Sequence, residues 1–76
     1  MSRSVHTAKY DRLRAILVQA RKAQGLSQAA LAKKLDRVQT FVSKYERGER
    51  RLDIVEFLEV AATLRIDPHK VIRQLQ

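Results

Sequence analysis

Seventy-six residues with two Gly, one Pro and no Cys make one small domain that must hold by packing alone, without disulfides or thiolate metal sites and with no room for a deep substrate cleft. Hydrophobic residues at 45% and charged ones at 32% exclude a disordered tail and a collagen-like repeat. Sixteen Lys and Arg against eight Asp and Glu leave a net charge of +8, which points to a polyanionic partner, with nucleic acid the first candidate.

That charge is local. Thirteen bases and four acids lie between Met1 and Leu52, a net of +9, whereas three bases and four acids follow from Asp53 onward, a net of −1. With no apolar signal segment and no aliphatic run longer than Ala15 to Val18, the chain reads as a soluble protein, and the lack of cysteine fits a reducing cytoplasm.

Residues 1–7 carry no periodicity and read as a mobile N-terminal arm; residues 8–76 read as one domain. Tyr10, Leu13, Ile16, Leu17 and Ala20 recur at helical spacing behind Thr7, an N-cap, and predict a first helix from about Ala8 to Gln24. Gly25 closes it, with Arg21 and Lys22 at the negative end of the helix dipole. Ser27 caps a short second helix whose buried stripe is Leu31, Ala32 and Leu35. After a turn of about three residues from Asp36, Val38, Phe41, Val42 and Tyr45 define one face of a third helix that ends near Arg47 and Gly48.

Asp53 and Glu56 have capping-box spacing ahead of a fourth helix with Ile54, Phe57, Leu58, Ala61 and Leu64 along its core face. Val55, Val60 and Ala62 widen the apolar arc beyond what one core face needs, leaving Glu56, Glu59 and Thr63 as its wet side. Asp67 and Pro68 then read as N-cap and N1 of a fifth helix lined by Val71, Ile72 and Leu75. No strand pattern appears, so the expected fold class is all-α.

The second and third helices, joined by so short a turn, form a helix-turn-helix. The polar face of the third is Gln39, Thr40, Ser43, Lys44 and Arg47, and it contains no acid. A carboxylate there would meet phosphates on both walls of a DNA groove, whereas these side chains reach base edges: Gln39 suits adenine N6 and N7, Lys44 suits guanine O6 or N7, and the Thr40 methyl suits a thymine methyl. Lys33, Lys34 and Arg37 precede this face and Arg50 and Arg51 follow it, placed to lie over the phosphate backbones.

The stretches Leu26-Ser27-Gln28-Ala29-Ala30-Leu31-Ala32 and Gln39-Thr40-Phe41-Val42-Ser43-Lys44-Tyr45-Glu46-Arg47-Gly48 resemble the lambda-repressor-like, or xenobiotic-response-element, family of phage and bacterial regulators, over about residues 10–68. The resemblance implies a compact five-helix bundle with the third helix as recognition helix. It also implies phosphate contacts from Ser27 and Gln28 and an ion pair between Arg21 and Glu46. Three departures stand out: Asp36 where the family has Gly, Arg37 where it has an apolar residue, and Val38 where it has a Ser or Thr cap. The missing cap costs about 1 kcal/mol. Aspartate tolerates the left-handed region, so the turn survives. Phe41 is expected to fill the space that Arg37 leaves and to free Arg37 for phosphate.

His6 and His69 have no partner in any ligand spacing, and no serine has a histidine base in a catalytic pattern, so neither a metal, a cofactor nor an enzymatic activity is expected. Tyr10 and Tyr45 read as packing groups with wet hydroxyls. The reading that results is a sequence-specific regulator that binds double-stranded DNA as a homodimer on a palindrome or paired half-sites, repressing by promoter occlusion, with activation through RNA polymerase as the other sign. Dimer contacts are expected at Val55, Val71, Ile72 and Leu75, in the near-neutral third where like-charged copies repel least. An antitoxin, whose C-terminal helix binds a toxin while the rest represses its operon, is the alternative. A membrane-surface peptide fits less well, because caps and glycine stops describe a globular bundle, and no small-molecule ligand is expected.

Overall fold

The computed structural model describes residues 7–76 as five α-helices: α1 (Ala8–Ala23), α2 (Gln28–Leu35), α3 (Gln39–Arg47), α4 (Ile54–Thr63) and α5 (Pro68–Leu75). The proposed arm over residues 1–7 lies outside the described residues except for Thr7, whose side chain accepts the Tyr10 N–H at 3.1 Å and caps α1. Capping sets most of the boundaries. Ser27 accepts from the Ala30 N–H, Asp67 from the His69 N–H, and Asp53 and Glu56 close a reciprocal capping box on α4. Gly25, at φ 71°, lets the chain leave α1 so that the Leu26 N–H reaches back to the Arg21 carbonyl.

Asp36 turns the chain between α2 and α3 at φ 57°, taking the left-handed position expected of it, and its N–H and that of Arg37 bond to the last carbonyls of α2. Val38 is the N-cap of α3, makes no side-chain cap bond and is 70% exposed, so it does not belong to the buried face on which periodicity placed it.

The core gathers Leu17, Leu31, Ala32, Phe41, Val42, Tyr45, Phe57, Val60, Ala61, Leu64 and Val71 around α3, with Leu13, Ile16, Ala20, Leu26, Leu35, Leu52, Ile66 and Leu75 packed against it. Both α1 and α2 pack on α3, α2 also meets α4, and α5 rests against α1 and α4.

Two expectations are corrected here. The core stripe of α4 is Phe57, Val60, Ala61 and Leu64, so Ile54 and Leu58 face outward with Val55, and Glu56 is buried rather than wet. Val71, assigned above to a dimer surface, is only 3% exposed and serves this chain's own core. On α4 the arc of apolar residues was wide enough to cover two faces, and packing chose which one turned inward; the single stripe of α5, expected on a dimer surface, packs into the core through Val71.

Candidate DNA interface

Helix α3 is held by what it buries. Phe41, Val42, Tyr45 and Glu46 are buried, while Gln39, Thr40, Lys44 and Arg47 are exposed and Ser43 is half-buried. The predicted acid-free face therefore stands clear of the protein. The Ser43 hydroxyl donates to the Thr40 carbonyl at 3.3 Å and Arg47 reaches Glu49, while the side chains of Gln39, Thr40 and Lys44 make no bond among the described residues.

Glu46, two residues before Gly48, is the buried anchor at the edge of that face. Arg21 of α1 donates to both of its oxygens, from Nε at 2.7 Å and Nη2 at 3.0 Å, and the Gln28 amide donates to Oε1 at 2.8 Å. The ion pair implied by the resemblance is thus present and almost dry, with side-chain exposures of 11% and 5%. Bonding to Glu46 holds the Arg21 guanidinium more firmly protonated than an ordinary arginine. Glu46 accordingly presents no charge to the face that carries Gln39 and Lys44.

Sequence reasoning missed Arg14. Its Nε and Nη2 donate to the Glu46 carbonyl at 2.9 and 2.7 Å, satisfying an orphan acceptor at the C-terminal end of α3. The signal was present, because Arg14 lies seven residues before Arg21 and hence on the same face of α1.

The cations that bracket α3 are not all alike. Lys33 and Lys34 stand exposed at the end of α2, and Arg51 lies over the Tyr10 ring at 4.9 Å. Arg47 is paired with Glu49 at 2.7 Å, which lowers the Glu49 carboxyl below its ordinary range, yet both side chains are more than half exposed. Arg37 donates from Nη2 to Glu59 of α4 at 2.9 Å and lies 4.5 Å over the Phe41 ring. Phe41 is buried beneath Arg37, which stays at the surface but is paired with Glu59 rather than free. Arg50 is committed: it makes a two-pronged bond to Glu56 at 2.8 and 2.6 Å, donates to the Arg51 carbonyl and also lies over Phe41, at 5.0 Å. Arg50 first, and the Asp53 N–H second, depress the Glu56 carboxyl to about 2.

Ser27 spends its hydroxyl acceptor on the cap of α2, and Gln28 turns its amide inward to Glu46. The Tyr10 hydroxyl donates to the Arg50 carbonyl at 3.0 Å and accepts the Leu52 N–H at 3.2 Å, so it ties α1 to the loop after α3 rather than meeting solvent. The Tyr45 hydroxyl is also not wet: it is buried with no hydrogen-bond partner among the described residues, and burial raises its pKa. His69 is exposed in the first turn of α5, and His6 lies outside the described residues. Among the described residues no group of His, Asp or Glu gathers to hold a metal, and no helix is long and apolar enough to cross a membrane.

A second helix of a short-turn pair, rooted by a buried acid and offering an acid-free face rimmed with cations, is the working surface of a helix-turn-helix DNA-binding regulator. A helix-turn-helix family model matches residues 17–71, and the chain belongs to the XRE-type family of these regulators. It is similar in structure to an XRE-family like protein from Pseudomonas syringae pv. tomato, with a TM-score of 0.86 and 42% identity over 93% of this chain and 87% of that one. No curated protein matches the chain.

Proposed function

We propose that this DNA-binding regulator represses transcription as a homodimer on a palindromic operator, with α3 of each copy in the major groove of half-sites about one helical turn apart. The observation that carries the reading is the division of α3 into a buried side and an exposed side of Gln39, Thr40, Lys44 and Arg47 without an acid. Gln39, Thr40, Ser43 and Lys44 read base edges. Ser27, Gln28, Arg37, Arg47 and Arg51 set affinity through the phosphates, Ser27 and Gln28 by way of the N-terminal N–H groups of α2, and Arg50 adds its charge beside them while staying on Glu56.

Dimerisation is supported by the exposure of Ile54, Val55 and Leu58 on α4 and Ile72 on α5. Ile54 and Ile72 also line an open apolar groove of about 210 Å³ with Leu13, Leu52, Phe57 and Leu75. These residues belong mostly to the third of the chain that carries −1, where two copies meet with least repulsion.

Randomised-site selection with the purified protein, followed by binding of variants to the selected site and to random DNA, tests the reading. Gln39→Ala and Lys44→Ala are expected to relax base preference by about 1–3 kcal/mol at one position per half-site. Arg47→Ala is expected to weaken all sequences alike and to lower the salt slope by about 1 per monomer. Equal losses on selected and random DNA from all three variants would reject α3 as the reading element.

A further inference from the structure

Phe41 supplies something that a buried packing residue on α3 need not supply: a ring on which two guanidinium groups rest. Arg37, from the turn before α3, lies 4.5 Å from its centroid and Arg50, from the loop after α3, 5.0 Å. The ring is 8% exposed and is fixed from below by an edge-on contact with Tyr45 at 5.6 Å. Each arginine is tied in turn to an acid of α4, Arg37 to Glu59 and Arg50 to Glu56.

The two ties differ in kind. Arg50, with its side chain 40% exposed, uses both terminal nitrogens on Glu56, whose side chain is only 10% exposed, so two bonds to a buried acid hold it in place. Arg37 uses one terminal nitrogen on Glu59, and the two side chains are 34% and 48% exposed. An exposed ion pair of that kind is weak and readily exchanged for a phosphate oxygen, and a guanidinium carries five N–H donors, most of which remain available. What a long arginine otherwise lacks at a surface is a fixed position, and stacking on an aromatic face provides one.

We propose that Phe41 is a positioning residue for DNA binding: its ring holds the Arg37 guanidinium at the entrance of the recognition helix so that it passes from Glu59 to a backbone phosphate, while Arg50, also on the ring, stays clamped by Glu56. The role rests on the reading of Arg37 as a phosphate contact and adds to it a residue that never touches DNA.

The test measures binding of the full chain to a selected operator and to random DNA across a range of salt, with thermal melting to fix the folded fraction. Arg37→Ala is expected to weaken both DNAs by the same several-fold factor and to lower the salt slope by about 1 per monomer. Phe41→Leu, which keeps an apolar core group but removes the ring, is expected to reproduce that loss and that slope. Phe41→Tyr is expected to bind like the unaltered chain, and Phe41→Leu made in the Arg37→Ala background is expected to add nothing further. A Phe41→Leu loss of equal size with or without Arg37, or with an unchanged salt slope, overturns the proposal. Should Phe41→Leu melt too low to assay, Arg37→Lys decides: it keeps the charge without the planar fork, and binding equal to that of the unaltered chain overturns the stacking role. If the unaltered chain itself shows no salt-dependent DNA binding, the DNA reading fails as a whole; if it binds and Arg37→Ala matches it, only this proposal fails.

Discussion

Single acids do most of the organising in this small protein. Glu46 receives two bonds from Arg21 and one from Gln28, so its removal leaves a nearly buried guanidinium without a counter-charge. Glu46→Ala is expected to cost about 3–5 kcal/mol in denaturant unfolding, far more than deletion of an exposed pair such as Arg47 and Glu49. Glu56 makes a second, pH-dependent contribution. Its folded pKa of about 2 lies below the ordinary 4.5, so the stability it confers is complete above about pH 4.5 and is lost as the pH falls toward 2. Melting curves of Glu56→Gln and the unaltered chain are expected to lie well apart at pH 6, to draw together below about pH 4.5 and to converge only near pH 2; a constant gap would contradict the assignment. The Arg21 pairing was legible because it follows a pattern of resemblance. The burial of Glu56 was not, because the arginine that neutralises it comes from an irregular loop with no period to read.

At the scale of the element, capping residues and glycine stops announced four of the five helix starts, and the boundaries follow them closely. Helix α3 is the exception. It begins at Val38 with no side-chain acceptor, and Val38 is mostly exposed, so Val38→Ser gains a cap without giving up packing. That change is expected to stabilise the fold by about 1 kcal/mol in chemical denaturation. Helix α4 shows the limit of pattern reading in the opposite sense. An amphipathic stripe of ordinary width names its core face, as it did on α3 for Phe41, Val42 and Tyr45, but an arc that runs almost around the helix does not. The pattern puts Ile54 and Leu58 on the core face with Phe57 and leaves Val60 as a widening of the arc; the positions of α2 and α5 instead turn Val60 inward beside Phe57 and leave Ile54 and Leu58 outside.

For the whole molecule, the outward half of that arc is where a second copy is expected to pack. Leu58→Glu places a charge in the middle of the exposed Ile54, Val55 and Leu58 surface without touching the core. In sedimentation at on the order of tens of micromolar, the unaltered chain is expected to run as a dimer and Leu58→Glu as a monomer. Operator affinity should then fall at least about tenfold, while binding to an isolated half-site persists. A monomer in both cases would remove the dimer from the account and leave the helix-turn-helix reading intact. The charge asymmetry that was visible in composition alone, +9 followed by −1, has a spatial counterpart in basic groups around α3 and apolar ones on α4 and α5. What composition could not reveal is that several of those bases already have internal partners.

The alternation along α3 also bears on how such a regulator changes over time. The positions that hold the helix in place, Phe41, Val42, Tyr45 and Glu46, and those that face outward, Gln39, Thr40, Ser43 and Lys44, do not overlap. With the outward positions reading bases as proposed, a lineage retunes its target by exchanging a few surface letters, with little penalty in folding. Two duplicated copies could then drift apart in target while remaining interchangeable in shape, and with the proposed dimer surface unchanged they would still compete to pair with one another. On the proposed reading, in which α3 meets DNA and α4 meets a second copy, divergence of target and divergence of partnership are separate evolutionary problems, because they are written on different helices.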